Sequence, residues 1–402
     1  MSEYQYYEFR AVDRPLGPRE MAELRALSTR AEITPTSFTN SYQWGDFKGE
    51  PAALVDRYFD AFLYFANWGS RQLMLRVPRR FLDTEAASAY FDGETLLLRV
   101  KGDYAVIEFS SENEGGDDYE DEPEAEGHWM TALISLRAEL MRGDLRALYL
   151  GWLASLRSGG WYNEAGGDED DPESDDPFEP PVPPGLAKLS AALRTLVEFL
   201  RVDDELIEVA AAGSAGEPPA GPSPADLDRW IAALPAPEKD AYLLRFLVEE
   251  GDLMLRADLA NRFREATSAR GAPVRDSGRR TIRQLLAARN ALLESKDRKA
   301  ADRAAKERVR LDRERAEARG KYLDDLARRE SATWHEAEAL IASKLAKNYD
   351  RAVTLLVDLR DLARRSNRLA EAEARIGKLR QQHGNKPSLM QRFDSENLGK
   401  PG

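Results

Sequence analysis

The sequence predicts an α+β fold, with a small N-terminal α/β-sheet domain followed by a mostly α-helical region of helical hairpins and one long charged helix. Three observations carry this expectation. Up to residue 110, short aromatic and β-branched runs alternate with helical patterns. From residue 128 onward apolar residues recur at helical spacing and no strand pattern returns. Glu294–Lys321 carries eleven Lys/Arg and seven Asp/Glu, with Val309 and Leu311 as its only apolar side chains larger than alanine.

Tyr4–Val12 is aromatic with partial alternation and reads as a strand. Pro18 opens a helix bearing Met21, Leu24, Ala26 and Leu27, since proline suits a first turn whose N–H is unpaired anyway. Ile33–Gln43 reads as extended, with Pro35 at an edge, and Trp44–Gly49 (WGDFKG) as a loop. Pro51–Ala66 reads as one amphipathic helix with Leu54, Val55, Tyr58, Phe59, Phe62 and Phe65 on one broad face. Leu73–Val77 is a strand, Phe81–Phe91 a short helix, and Glu94–Val100 with Tyr104–Phe109 a hairpin turning at Lys101-Gly102-Asp103. A small sheet with helices on one face follows.

Trp129–Met141 and Asp144–Arg157 form a helical hairpin broken at Gly143. Leu186–Leu200 is helical by its leucine spacing, and Ala225–Leu234, Glu238–Glu249 and Leu253–Ala266 are shorter helices. Asp276 or Ser277 would cap a helix starting near Arg279. Within the charged segment, Glu294→Arg298, Asp302→Lys306 and Glu317→Lys321 sit at i,i+4, each worth about 0.2–0.5 kcal/mol to a helix. No apolar a/d heptad is sustained there, as a coiled coil would need. In the tail, Leu323 to Leu345 fits one helix, Tyr349 to Leu362 the next and Arg368–Gln382 a third, closed by Gly384 and Pro387.

The expected organisation is therefore an α+β head (1–110), an acidic loop (111–127), a helical hairpin (128–160), an acidic Pro-rich linker (161–185), helices (186–212), a Gly/Pro linker (213–224), a helical domain (225–293), the charged helix (294–321) and a repeat-like helical tail (322–402).

Composition excludes several classes. The 402-residue chain has no cysteine, so disulfides, thiolate metal sites and cysteine nucleophiles are out. The longest strongly apolar run, Ala61–Ala66, is far short of the roughly 20 residues a bilayer requires. The start, MSEYQYYEFR, has neither the basic nor the apolar region of a signal peptide, so the expectation is a cytoplasmic protein without a membrane partner. The net charge of −13 hides an asymmetry: residues 1–255 hold 23 Lys+Arg against 49 Asp+Glu, and residues 256–402 hold 35 against 22. Ser111–Glu126 and Glu164–Glu179 each contribute nine acids in segments too poor in apolar residues to build a core.

Catalytic patterns are missing. His128, His335 and His383 are far apart, and His335-Glu336 lacks a second histidine four residues on, so no metal is expected. There is no phosphate-binding glycine loop and no GxSxG, so no cofactor and no catalytic residue are assigned. Asp168, Asp170 and Glu179 match calcium-loop positions 1, 3 and 12, but Glu173 stands where glycine is needed, and a solvated loop is the better reading. Two groups remain as binding candidates. Trp44, Asp46 and Lys48 share a loop between a strand and a helix, where scaffolds present polar contacts to partners. Arg270, Arg275, Arg279, Arg280 and Arg283 cluster at a helix start and are candidates for nucleic acid. The charged helix itself alternates signs along the chain, which reads as a solvated surface.

The block YEFRAVDRPL…LRALSTRAEITPTSFTNSYQWGDFKG, with FANWGSRQLMLRVP, resembles a bacterial family of uncharacterised proteins, and the tail YDRAVTLLVDLRDLA…KPSLMQRF is similar to tails in the same group. That resemblance implies a bacterial, cytosolic origin and supplies no activity or site. The tail also resembles a single tetratricopeptide-like hairpin, with no period of about 34 residues elsewhere. The functional expectation is a non-enzymatic interaction or scaffold protein with a protein partner. The alternatives are a nucleic-acid-associated accessory protein and an enzyme with a site in the head.

Overall fold

The computed structural model describes residues 4–112, 128–158, 176–214, 223–248, 252–267, 279–343 and 345–399. The chain divides into two compact units, Met1–Ser295 and Lys296–Gly402. The expected α+β class is what the structure has: an antiparallel sheet in the N-terminal 110 or so residues and helices after it.

The first unit is built on a seven-stranded sheet of order β2-β3-β1-β4-β5-β7-β6. Its strands are β1 (Gln5–Arg10), β2 (Glu32–Ile33), β3 (Ser37–Tyr42), β4 (Ala61–Ala66), β5 (Arg71–Pro78), β6 (Leu96–Lys101) and β7 (Tyr104–Ser111). Register is set by the two-residue alternation of side chains, because a slip of one would turn every apolar residue to the wrong face. Tyr7, Phe9, Phe62, Met74 and Val106 point to one face; Tyr6, Leu63, Phe65, Leu73, Leu75, Ile107 and Phe109 point to the other.

Both faces are covered, not one as the sequence suggested. Helices α1 (Pro18–Leu27) and α2 (Pro51–Arg57) close the first face with Leu24, Leu54 and Val55. Phe9 is fully buried there, its ring 4.5 Å from Phe62, 5.1 Å from Phe59 and 5.5 Å from Phe38. The second face carries the larger core. It is covered by α4 (His128–Leu133), α5 (Ser135–Met141), α6 (Arg146–Ser158), α7 (Ala191–Leu200) and α8 (Asp204–Gly213), which place Leu136, Leu140, Leu148, Tyr149, Leu193, Phe199 and Leu206 against the sheet. Gly151 of α6 lies so close to Phe109 that a Cβ there would meet the ring at 2.9 Å, so glycine lets this helix approach the sheet.

Pro51–Ala66 is not one helix. The helix stops at Arg57, Tyr58 leaves helical geometry, and Ala61–Ala66 becomes β4, paired with β1 on one side and β5 on the other. Phe62 and Phe65, assigned to one helical face from sequence, therefore point to opposite faces of the sheet. A six-residue aromatic run has no periodicity that separates buried strand from helix, and pairing on both edges decides the outcome. Other expectations shift less. The Leu186–Leu200 helix starts at Ala191, capped by Ser190, whose hydroxyl accepts from Leu193 N–H at 3.1 Å. Phe81–Phe91 is a broken set of turns around α3 (Thr84–Ala87).

Three helices follow: α9 (Pro224–Ala233), α10 (Ala236–Val248) and α11 (Asp252–Thr267). The long helix α12 (Ile282–Arg328) starts three residues after Arg279. Thr281 caps it; Asp276 and Ser277 lie outside the described residues. Thr281 Oγ1 accepts from Gln284 N–H at 3.3 Å while Gln284 Oε1 accepts from Thr281 N–H at 3.1 Å, a reciprocal capping box. Within the first unit, α12 buries Ile282, Leu285 and Leu286.

The second unit holds the rest of α12 with α13 (Glu330–Ala342), α14 (Ala346–Arg365), α15 (Leu369–Gln382) and α16 (Pro387–Ser395). The single helix expected over Leu323–Leu345 is two, broken at Arg329 (φ −124°, ψ 23°). Trp334, Ile341, Leu356, Ile376, Leu389, Phe393 and Leu398 form its core. Gly399, at φ +64°, lies against Gly377, so that a Cβ at 399 would meet the 377 backbone at 3.1 Å.

Candidate functional site

The loop Trp44–Gly49 is anchored from below. Gln5, on β1, donates from Nε2 to Gly45 O at 3.1 Å and accepts at Oε1 from the Tyr7 hydroxyl at 2.8 Å and the Tyr64 hydroxyl at 3.0 Å. The single Tyr7 hydroxyl proton is shared with Asp46 Oδ1, 2.7 Å away, which also accepts Phe47 N–H at 2.7 Å. Burial first, then the Asp46 hydrogen bond, pushes the Tyr7 phenol well above its ordinary value. Burial and the Asp46 charge push Tyr64 up to about 12. Phe47 is buried 5.3 Å from the Tyr7 ring and 5.7 Å from that of Phe38. Gly45 takes φ +85°, a conformation that favours glycine.

The three residues singled out from sequence thus take different roles. Asp46 is exposed but its carboxylate pins the loop, Lys48 is exposed, and Trp44 presents 74% of its surface to solvent. Of the two aromatic residues of this loop, Phe47 plugs the core and Trp44 does not. An indole and an ammonium held outward suit contact with another molecule; the loop pairs no acid with a base for catalysis.

The arginine group separates likewise. Arg270 and Arg275 lie outside the described residues. Arg280 donates from Nε to Glu179 Oε2 at 2.8 Å, from Nη2 to Glu179 Oε1 at 2.9 Å and from Nη1 to Val209 O at 3.1 Å. Arg279 Nε donates to Glu179 O at 3.0 Å, and Arg283 N–H to Asp176 Oδ1 at 3.2 Å. Glu179 is buried, and the Tyr149 hydroxyl donates to its carboxylate as well. Arg279 and Arg280 therefore clamp the segment Asp176–Glu179 to the start of α12, which builds the fold and occupies the guanidinium groups. Glu179, the twelfth position of the calcium-loop match, is the carboxylate that Arg280 neutralises; Asp168 and Asp170 lie outside the described residues. No group of ligating side chains suited to a metal ion occurs among the described residues. His335 is exposed with Glu338 3.8 Å away, and burial lowers the His383 pKa.

Sequence reasoning missed two buried polar clusters. Asp60 accepts from Val12 N–H at 2.7 Å, Asp13 N–H at 2.8 Å and Arg76 Nη2 at 2.7 Å, while Arg137, 1% exposed, donates to Asp13 and to Arg76 O. Two carboxylates and two guanidiniums balance, and burial pushes Asp13 up while the arginines and backbone N–H groups hold Asp60 down against its own burial. Arg71, 3% exposed, donates to Glu198 O and Phe199 O and lies 4.6 Å from the Trp129 ring centre, so a cation closes the C-terminal end of α7. Both clusters fasten helices to the sheet.

The second unit has a groove of about 800 Å³ along α15, lined by Arg360, Glu373, Lys378, Arg380 and Gln381. Arg380 is committed to Asp394 at 2.5 Å and to Leu398 O at 3.1 Å, and Arg360 Nη1 to Glu396 O at 2.9 Å. The groove's arginines tie the chain end down.

The remaining feature is α10. Three of its polar side chains face its neighbour: Arg245 donates to Asp258 of α11 at 2.9 Å, and Glu238 and Tyr242 meet Arg262. Its apolar side chains face away. Leu243 (62% exposed), Leu244 (63%), Leu247 (81%) and Val248 (71%) form one stripe at i, i+1, i+4 and i+5, and neither α9 nor α10 has a buried residue. This reverses the ordinary arrangement, in which an amphipathic helix turns its apolar stripe to the core. No family model matches the chain, and neither a curated protein nor a solved structure matches it. The family resemblance at the two ends of the chain has no matching model beside it. No helix among the described residues is long and apolar enough to cross a membrane.

Proposed function

We propose that this is a non-enzymatic interaction protein whose α10 receives a protein partner. The outward apolar stripe of α10 carries this reading. A contiguous exposed apolar patch is a recognised mark of an interaction surface, and here its polar residues already hold the helix to the chain, leaving the stripe available. The partner is a protein with a complementary apolar surface, because the stripe itself consists of four apolar side chains. Trp44, at the tip of a pinned loop, is the second contact of this kind. The test is co-purification of the tagged full chain from its native host beside Leu244→Glu/Leu247→Glu. A protein retained by the wild type and lost from the variant, at unchanged helix content, supports the reading. Identical retention by both overturns it.

A further inference from the structure

Along the chain, the signs of charge in the second unit's part of α12 alternate. On the helix five cations fall on one face, flanked by Asp302, Glu307 and Glu314. The helix is unbroken from Ile282 to Arg328, and every residue from Asp297 to Ala318 is exposed. Lys299, Arg303, Lys306, Arg310 and Arg313 follow one another at intervals of four, three, four and three residues. That spacing places all five on one face, because a helix repeats every 3.6 residues. Lys296 continues the row one turn earlier, and Glu317 ends it. At about 1.5 Å rise per residue the five cations span roughly 21 Å, one about every 5 Å. No acid and no apolar side chain occupies a row position between 299 and 313. The opposite face is mixed, with Asp297, Ala301, Arg308, Asp312 and Arg315.

We propose that this row binds the phosphate backbone of a nucleic acid without reading its sequence. Independently of α10, the row offers regularly spaced cations and nothing apolar. A protein interface centres on buried apolar or aromatic anchors, which this face lacks. Phosphate binding needs only charge, and releases the counterions condensed on the polyanion. The same row of a second copy would meet cations with cations. Arg310 is held by Glu307 at 2.5 Å and Glu314 at 3.6 Å, and Arg313 by Glu317 at 2.9 Å, but all three pairs are exposed, and such pairs are weak enough for a phosphate to displace.

The experiment measures fluorescence anisotropy of a labelled mixed-sequence DNA duplex, and of the matching RNA duplex, with the full chain at several salt concentrations. Five phosphate contacts predict a slope of about −4.5 in log K against log salt for DNA, a loss of about 500-fold between 50 and 200 mM. Lys299→Gln/Arg303→Gln/Lys306→Gln, which keeps helix-forming residues, reduces the slope to about −1.8 and the loss to about tenfold. Arg308→Gln/Arg315→Gln, on the opposite face, leaves the slope unchanged. Circular dichroism confirms that both variants stay helical. Absence of binding to either duplex at 50 mM salt overturns the proposal. So does an equal effect of the two variants, which would mean diffuse charge, and so does displacement of the duplex by polyglutamate at equal charge concentration, which would assign the row to an acidic protein.

Discussion

Replacing Arg280 by leucine removes the clamp between Asp176–Glu179 and the start of α12. Three hydrogen bonds go with it, two of them to a carboxylate whose side chain is 3% exposed. The Tyr149 hydroxyl still donates to Glu179, but the buried charge has lost this cation. Removing one partner of a buried pair costs about 3–5 kcal/mol, most of it from the charge left behind. The guanidinium is 27% exposed, so its own desolvation is partial and the lower end, about 3 kcal/mol, applies. With a guanidinium m-value of about 5 kcal/mol/M, the unfolding midpoint of the first unit falls by about 0.6 M, followed by tryptophan fluorescence. Trp152 reports on this region, its ring centre 5.6 Å from that of Tyr149. Glu179→Leu/Arg280→Leu recovers part of the loss, because the stranded charge is gone. A loss for Arg280→Leu inside the roughly 0.5 kcal/mol of ordinary surface changes would refute the clamp and return Arg280 to the pool of free cations. A double variant no better than the single would refute the stranded-charge explanation.

Three further outcomes follow from the same geometry. Phe47→Ala should cost about 3–5 kcal/mol by emptying an aromatic pocket, while Trp44→Ala stays within about 0.5 kcal/mol, and a thermal melt in which the two behave alike would contradict the roles assigned to that loop. Leu243→Glu/Leu247→Glu should leave the melting temperature nearly unchanged, since those side chains are 62% and 81% exposed; a fall of many degrees would show that the chain itself covers the stripe. The Arg14 hydrogen bond, with the Gly17 backbone N–H, lowers the Glu20 pKa to about 2. A carboxylate depressed in this way stabilises the fold above its unfolded pKa and loses that contribution as pH falls toward 2. The melting advantage of wild type over Glu20→Gln should therefore be present at neutral pH and vanish toward pH 2; an advantage that persists there contradicts the assignment.

The hairpin of β6 and β7 was legible in the sequence because Gly102, at φ +59°, marks its turn between alternating runs. So were α14 and α15, whose leucine spacing matches the observed core, whereas the break at Arg329 and the helix α16 were not. Ala61–Ala66 was not, since a fully buried strand shows no alternation and only its two neighbours reveal it. Helix α12 starts at Ile282 because the Thr281–Gln284 capping box satisfies N–H groups there. The candidate surfaces were less legible than the fold. Arg279 and Arg280 look like free cations in a linear reading, and only the fold brings Glu179 to them from 100 residues away. Leu243–Val248 looks like the core face of a helix. It becomes an outward stripe because Arg245, Glu238 and Tyr242 find polar partners on α11. The cationic row emerges once the helical phase runs unbroken through alternating charges.

The claim that α10 receives a partner is tested most directly by placing a photo-reactive leucine at position 247 of the full chain and irradiating it in the native host. The account predicts a crosslink to a different protein, absent when Leu244 is also changed to glutamate. Crosslinks confined to this chain or its copies, or none at all, would contradict it.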